Sequence, residues 1–107
     1  MRFVIFGLTV SSSWGNGHAT LWRSLLKAMA VRGHSAVFYE KDVSYYATTR
    51  DGWVCPEGVE LRLYRSLDEV RGEALREMAT ADVALSTSYC PEGGRAAEMI
   101  WESLTKG

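Results

Sequence analysis

The side chain best suited to chemistry in this sequence is His18, which ends a stretch of small residues that includes Gly15, Asn16 and Gly17. An imidazole has an ordinary pKa of about 6.5, so it can accept a proton from a hydroxyl group at neutral pH. The glycines let the chain turn and let a ligand approach the backbone closely. We therefore expect a ligand site at this stretch, with His18 as candidate general base or, alternatively, as a residue that only shapes the loop.

Four further residues are expected to line the same site. Trp14 lies inside the glycine-rich loop, where its ring could stack on a sugar or a base. Glu40 ends the second predicted strand, and Ser88 and Tyr89 follow the fourth. Ligands of open α/β sheets bind at the carboxyl ends of the strands, so all three are candidate contacts. Glu40 could instead be a solvated or ion-paired carboxylate.

Composition limits the classes of protein to consider. The 107 residues are 47% hydrophobic and 23% charged, which is typical of one globular domain. The net charge of −1 gives no reason to expect nucleic acid or an anionic membrane as partner. No apolar run approaches the roughly 20 residues of a membrane span, and no signal peptide is recognisable. Cys55 and Cys90 lack metal-ligand spacing, so we expect free thiols in the cytoplasm, with no metal and no cofactor.

The elements that position the candidate residues begin with an apolar strand over residues 2–7, expected to be buried on both faces. Helical spacing follows from Ala19 to Arg32, and Gly33 is placed to end that helix. Residues 35–40 form a second strand, so the unit is a parallel strand–helix–strand with a right-handed crossover. The residues expected to face inward from the helix are Leu21, Trp22, Leu25, Leu26 and Met29.

The second half of the chain continues the alternation. We expect a short helix over residues 43–49, a turn at Asp51–Gly52 and a loop over 52–58. A half-buried strand near a sheet edge should follow over residues 59–64, because Val59, Leu61 and Leu63 alternate with polar neighbours. Ser66 and Glu69 form a capping-box pattern, which predicts the start of a helix. Residues 82–86 are expected to form a fourth strand. Pro91 then suits the first turn of a last helix. Inward positions of these two helices are Leu67, Val70, Ala74, Leu75 and Met78, then Ala96, Ala97, Met99, Ile100 and Leu104.

Together the elements predict an α/β fold, a Rossmann-like three-layer sandwich with a mostly parallel sheet of about four strands in the order 3-2-1-4. The fourth strand would then be an open edge, which invites pairing with another chain. Domains of this kind usually continue for two or three more strands. We therefore expect the chain to be the front part of a longer fold.

The glycine-rich loop partly matches a dinucleotide-binding motif. It contains Gly15-x-Gly17-x-x-Thr20 without the third glycine, and Glu40 follows Gly17 by 23 residues, a suitable place for a ribose-binding acid. However, the motif places its glycines directly after the strand, whereas here about seven residues separate Gly7 from Gly15. A dinucleotide-binding oxidoreductase or epimerase fragment remains one alternative. A P-loop is excluded because the sequence has no Gly-Lys-Ser/Thr.

A second set of motifs covers nearly the whole chain and consists of residues 14–18, 25–34, 38–42 and 88–93. These segments contain a glycine-rich loop ending in Gly17-His18, a helix closing in Arg32-Gly33-His34 and a strand that runs into Glu40-Lys41-Asp42. Together they resemble the N-terminal domain of GT-B glycosyltransferases, in particular bacterial glycosyltransferases and relatives of the spore-maturation protein CgeB. Lys41 stands where that family has arginine.

The resemblance implies transfer of a sugar from a nucleotide-sugar donor to a small-molecule or glycan acceptor, generally without a metal. His18 would inherit the role of general base on the acceptor hydroxyl, and Gly15, Asn16 and Gly17 would present backbone amides to phosphate or sugar oxygens. In such enzymes a C-terminal domain holds most of the nucleotide. The isolated 107-residue chain is therefore expected to be inactive alone.

A third hypothesis is non-enzymatic. The open edge of the sheet could pair with a second copy, so that the chain is a self-associating α/β domain or a homodimer. The sequence names neither the donor sugar nor the acceptor.

Overall fold

The computed structural model describes residues 1–12, 17–43, 48, 50, 52–87 and 90–106, and only the backbone of His18, Thr105 and Lys106. Within these ranges four strands alternate with three helices. The elements are β1 (Arg2–Gly7), α1 (Gly17–Val31), β2 (Ser35–Lys41), β3 (Val59–Tyr64), α2 (Leu67–Ala79), β4 (Val83–Ser86) and α3 (Gly93–Lys106).

The four strands form one sheet in the order β3-β2-β1-β4, and every pair is parallel. In the register of the central pairs, Ile5 of β1 lies beside Phe38 of β2 and Leu85 of β4. The predicted α/β class, parallel sheet and strand order are confirmed, and the arrangement is that of a Rossmann-like fold. The order reverses between β1 and β4, which therefore flank the switch point of the sheet.

The central strands are buried on both faces, which explains why their sequences are apolar throughout. Val4 and Phe6 pack with α2 and α3, whereas Ile5, between them, packs on the α1 side against Leu26. The same alternation along β2 stacks Tyr39 on Phe6, with ring centroids 5.1 Å apart. Each face of the sheet therefore has its own core.

The ends of α1 agree with prediction to within two residues. Gly33 adopts a φ of +83°, and its N–H donates to the Ala30 carbonyl at 3.0 Å. The next amide, of His34, donates to the Met29 carbonyl at 3.0 Å. A glycine suits this left-handed position, so the predicted stop signal is confirmed.

Several burial predictions are wrong. Leu21 and Leu25 of α1 are exposed, and so are Ala97 and Leu104 of α3, because no described element packs on those sides of the two helices. In β3 the inward pattern changes at its end, where Leu63 is exposed and Tyr64 is buried in the core beside α2. A parallel strand can be covered on both faces, so strict alternation does not hold there.

Two predicted helix starts differ in detail. Ser66 is the N-cap of α2 in extended conformation, but its side chain makes no capping hydrogen bond; instead the Glu69 N–H donates to the Ser66 carbonyl at 3.0 Å. Pro91 lies in a turn before α3 rather than in its first turn. Glu92, at a φ of 57°, accepts hydrogen bonds from the Arg95 and Ala96 amides through its carbonyl.

Residues 52–58 contain no helix or strand, as predicted, and Gly52 has a φ of +71°. The predicted helix over 43–49 and the residue Asp51 fall mostly outside the described residues. In the described part of the chain, the helices are all too short or too polar to cross a bilayer.

Candidate functional site

The candidate site lies at the carboxyl ends of β1, β2 and β4, where sequence analysis places it. Four described segments meet this edge of the sheet: residues 8–12 after β1, the first turn of α1, the end of β2 and the end of β4. The first turn of α1 contains no acidic residue. The amides of a first helical turn have no partner within the helix, and this turn provides no carboxylate of its own, which suits an anionic or polar ligand.

Glu40 is fully buried and binds the loop that follows β1. Its Oε1 accepts hydrogen bonds from the backbone amides of Val10 at 2.7 Å and Ser11 at 3.0 Å. Its Oε2 accepts a hydrogen bond from the Ser11 hydroxyl at 2.6 Å. Since a buried carboxylate needs such donors to replace water, these bonds fix the path of the loop against the end of β2.

Arg50 supplies the positive charge that accompanies this carboxylate. Its Nη2 lies 3.6 Å from Glu40 Oε2 and 3.1 Å from Asp42 Oδ1. Its Nε donates a hydrogen bond to the Ser11 hydroxyl at 2.9 Å. Arg50 thereby joins the loop after β1, through Ser11, to the end of β2, through Glu40 and Asp42.

The same loop is also bound from the side of α1. The Arg23 Nε donates a hydrogen bond to the Val10 carbonyl at 2.8 Å, and its guanidinium lies 5.6 Å from the Trp53 ring centre. Val10 thus has its amide held by Glu40 and its carbonyl held by Arg23. The position of the loop relative to α1 is therefore set by hydrogen bonds at both polar groups of one residue.

The connection between β1 and α1 is long but its first part is packed into the protein. Nine residues separate Gly7 from Gly17, and Thr9, Val10, Ser11 and Ser12 are buried. The loop leaves β1 beside β2, since a Cβ added at Gly7 would lie 2.3 Å from the Phe38 ring. A dinucleotide motif instead turns directly from strand to helix, so the length of this connection differs from that of a pyrophosphate-binding turn.

Two threonine hydroxyls lie at the same edge of the sheet. The Oγ1 atoms of Thr9 and Thr87 are buried and have no hydrogen-bond partner among the described residues. The Thr87 amide donates to the Phe6 carbonyl at 3.0 Å, which places Thr87 directly beyond the paired ends of β1 and β4. Both threonines follow strands that flank the switch point, in the segments after β1 and β4 where the sequence predicts ligand contacts.

The residues predicted from the sequence are only partly described. Trp14, Gly15, Asn16, Ser88 and Tyr89 lie outside the described residues. Gly17 begins α1, and the backbone of His18 follows in the same turn. Glu40 lies at the predicted end of β2, but both of its oxygens accept hydrogen bonds from the loop. The contact of any of these residues with a ligand stays a prediction.

The cysteines do not have the properties of catalytic nucleophiles. Burial raises the pKa of the Cys90 thiol, outweighing the nearby polar groups of Tyr64 and Ser86, which lower it. Burial likewise raises the pKa of Cys55. A thiol acts as a nucleophile through its thiolate, so raised pKa values make both groups less reactive.

Comparisons with models of protein families, with curated proteins and with solved structures found no match to this chain.

Proposed function

We propose that this chain is the N-terminal, acceptor-side domain of a GT-B glycosyltransferase, which transfers a sugar from a nucleotide-sugar donor to an acceptor hydroxyl. The observation that carries the proposal is the long β1–α1 connection, buried over Thr9–Ser12 and held by Glu40. A connection of nine residues between a strand end and a helix start is longer than the tight turn of a dinucleotide motif. The sequence motifs that resemble the family surround the same connection.

In this proposal the residues at the site divide the chemistry between them. His18, in the first turn of α1, accepts the proton of the acceptor hydroxyl as that oxygen attacks the donor sugar. The backbone amides of the helix start and of Gly15–Gly17 bind phosphate or sugar oxygens. The Thr9 and Thr87 hydroxyls supply further hydrogen bonds at the switch point, where the described chain offers them no partner.

The geometry favours this function over dinucleotide binding. A ribose-binding acid at the end of β2 must offer its oxygens to the ligand, whereas both oxygens of Glu40 already accept hydrogen bonds from Val10 and Ser11. A fluorescence titration with NADH and with flavins distinguishes the two functions. We expect no binding, and binding at micromolar concentration would contradict the glycosyltransferase proposal.

The proposal includes a second domain that holds the donor, as the resemblance implies. It also includes a cytoplasmic location, which is supported by the two cysteines being free thiols. The direct test is the intact mass of the gene product in its native cell. A species roughly two to four times larger than 11.9 kDa, as two full domains require, supports the proposal. A species of 11.9 kDa contradicts it.

The longer product then allows a kinetic test of His18. With a panel of nucleotide sugars, release of the nucleoside diphosphate reports turnover whatever the acceptor. His18→Ala should lower kcat by roughly 10²–10⁴ if this residue is the general base. His34→Ala is the matched control, because His34 follows α1 at the opposite edge of the sheet, with Nδ1 2.8 Å from the N-terminal amine. A change confined to KM would assign His18 to binding instead.

A further inference from the structure

A concave surface lies on the α1 side of the sheet, beside the loop that follows β1. It is a groove of about 430 Å³ between α1 and residues 53–56. Small-molecule sites usually have volumes of roughly 300–1,000 Å³ and combine apolar walls with a few polar groups. The lining residues are Arg23, Ser24 and Lys27 on α1, and Trp53, Val54 and Pro56 across from them.

Arg23 connects this groove to the loop after β1. Its Nε donates a hydrogen bond to the Val10 carbonyl at 2.8 Å, and its guanidinium carbon lies 5.6 Å from the centre of the Trp53 ring. The second distance is within the range of a cation–π contact. The guanidinium and the indole are therefore held against each other, so a ligand in the groove meets a surface that is already in place.

The charged side chains that line the groove are both positive. Lys27 lies one helical turn beyond Arg23 and is exposed. Within the described part of the chain, its ammonium group makes no hydrogen bond or ion pair. No acidic residue is among the described lining residues, and α1 contains none. An anionic group in the groove is therefore attracted by Lys27 without competition from a carboxylate of this lining.

We propose that this groove binds a small molecule that carries an anionic group on a flat ring. The ring packs against Trp53, Val54 and Pro56, of which Val54 is 82% exposed in the empty groove. The anionic group pairs with the Lys27 ammonium and accepts a hydrogen bond from the Ser24 hydroxyl. Charge complementarity favours this occupant over a neutral one, since both charged lining residues are cations. The inference does not depend on glycosyl transfer.

The probe is phenyl phosphate, and inorganic phosphate and phenol represent its two halves. Nuclear magnetic resonance of the isotope-labelled chain follows the Trp53 indole N–H and the Ser24 and Lys27 amides during each titration. We expect a dissociation constant of roughly 1 mM for phenyl phosphate, as for a ligand of this size, and at least about tenfold weaker binding of either half. Signals that move at Gly17 but not at Trp53 would place the phosphate at the start of α1 and overturn the inference.

Substitutions of Lys27 then test the role of charge. Lys27→Gln should raise the dissociation constant of phenyl phosphate about fivefold, the upper value for an exposed ion pair, and Lys27→Arg should keep the wild-type value. Arg76→Gln is the matched control, because Arg76 is an exposed cation of α2, which packs on the opposite face of the sheet. It removes the same net charge and should leave the affinity unchanged.

Four results would overturn the inference. The first is a wild-type chain that does not bind phenyl phosphate. The second is binding of phenol or inorganic phosphate as tight as that of phenyl phosphate, which would make the groove a general apolar or anion site. The third is an effect of Lys27→Gln no larger than that of Arg76→Gln. The fourth is a Lys27→Arg variant as weak as Lys27→Gln, since the charge of residue 27 would then not determine binding.

Discussion

Replacement of Glu40 tests whether the loop after β1 is held by hydrogen bonds or only by packing. The carboxylate accepts three hydrogen bonds, from two backbone amides and one hydroxyl, at distances of 2.6 to 3.0 Å. Bonds to a charged group contribute about 1.5–3 kcal/mol each, and neutral ones about 0.5–1.5 kcal/mol. Glu40→Gln keeps the shape but removes the charge, so it should lower the free energy of unfolding by about 2–4 kcal/mol.

Glu40→Ala should have a larger effect because it leaves the buried Val10 and Ser11 amides without a partner, while the Ser11 hydroxyl keeps only its hydrogen bond from Arg50. Each unpaired group costs about 1–3 kcal/mol, and the lost hydroxyl bond to the carboxylate adds to this, so we expect a loss of about 3–6 kcal/mol. The total stability of a domain of this size is roughly 5–15 kcal/mol. The alanine variant therefore approaches unfolding, and glutamine is the variant on which the measurement depends.

The assay is urea unfolding followed by tryptophan fluorescence, together with hydrogen exchange of the Val10 and Ser11 amides. These two amides should exchange faster in Glu40→Gln than in the wild-type protein. Glu60→Gln is the matched control, because Glu60 lies exposed on β3 and pairs with Arg62 at 2.7 Å. Surface pairs contribute about 0–1 kcal/mol. If Glu40→Gln were no more destabilising than Glu60→Gln, the loop would be held by packing and the reasoning would be refuted.

Three further predictions concern packing, acid stability and thiol reactivity. Gly7→Ala should destabilise the protein by about 1–3 kcal/mol, because its Cβ would overlap the ring on β2; an unchanged midpoint in urea would contradict this. Burial alone would raise the pKa of Glu77, but the hydrogen bond from Arg2 and nearby arginine charges outweigh it and hold the pKa below 4.5. Stability should therefore fall as pH drops below 4.5, and less steeply in Glu77→Gln, as melting curves across pH would show. In a Cys55→Ser background, Cys90 should react with a disulfide reagent more slowly in the folded than in the unfolded protein, and equal rates would show that its thiol is not protected.

The sequence determined the fold class and strand order because the information is local and repeated. Apolar runs such as residues 3–6 and 36–39 have the length and residue types of strands covered on both faces, and the helix between them predicts a parallel crossover. Gly33 marks the end of α1 because only glycine adopts its left-handed φ without strain. These features depend on neighbouring residues in the sequence and not on contacts with distant segments.

Periodicity did not determine how much of each helix is covered. Leu21, Leu25 and Leu104 lie at apolar spacing, yet all three are exposed. The spacing identifies an apolar side of a helix, but its burial depends on which other element packs there. Such neighbours are distant in sequence, so only the assembled structure shows that these sides are open.

For the candidate site, the sequence placed Glu40 at the carboxyl end of β2. It did not determine whether the carboxylate faces a ligand or accepts hydrogen bonds from the protein itself. That depends on the path of residues 8–12, which brings two amides and a hydroxyl within 3.0 Å of the carboxylate from 30 positions away. The hydroxyls of Thr9 and Thr87, which find no partner among the described residues, are likewise a property of burial at neighbouring strand ends. Residue types thus determined which groups could act, whereas tertiary structure decided their partners, because hydrogen-bond satisfaction in a buried site depends on contacts between distant segments.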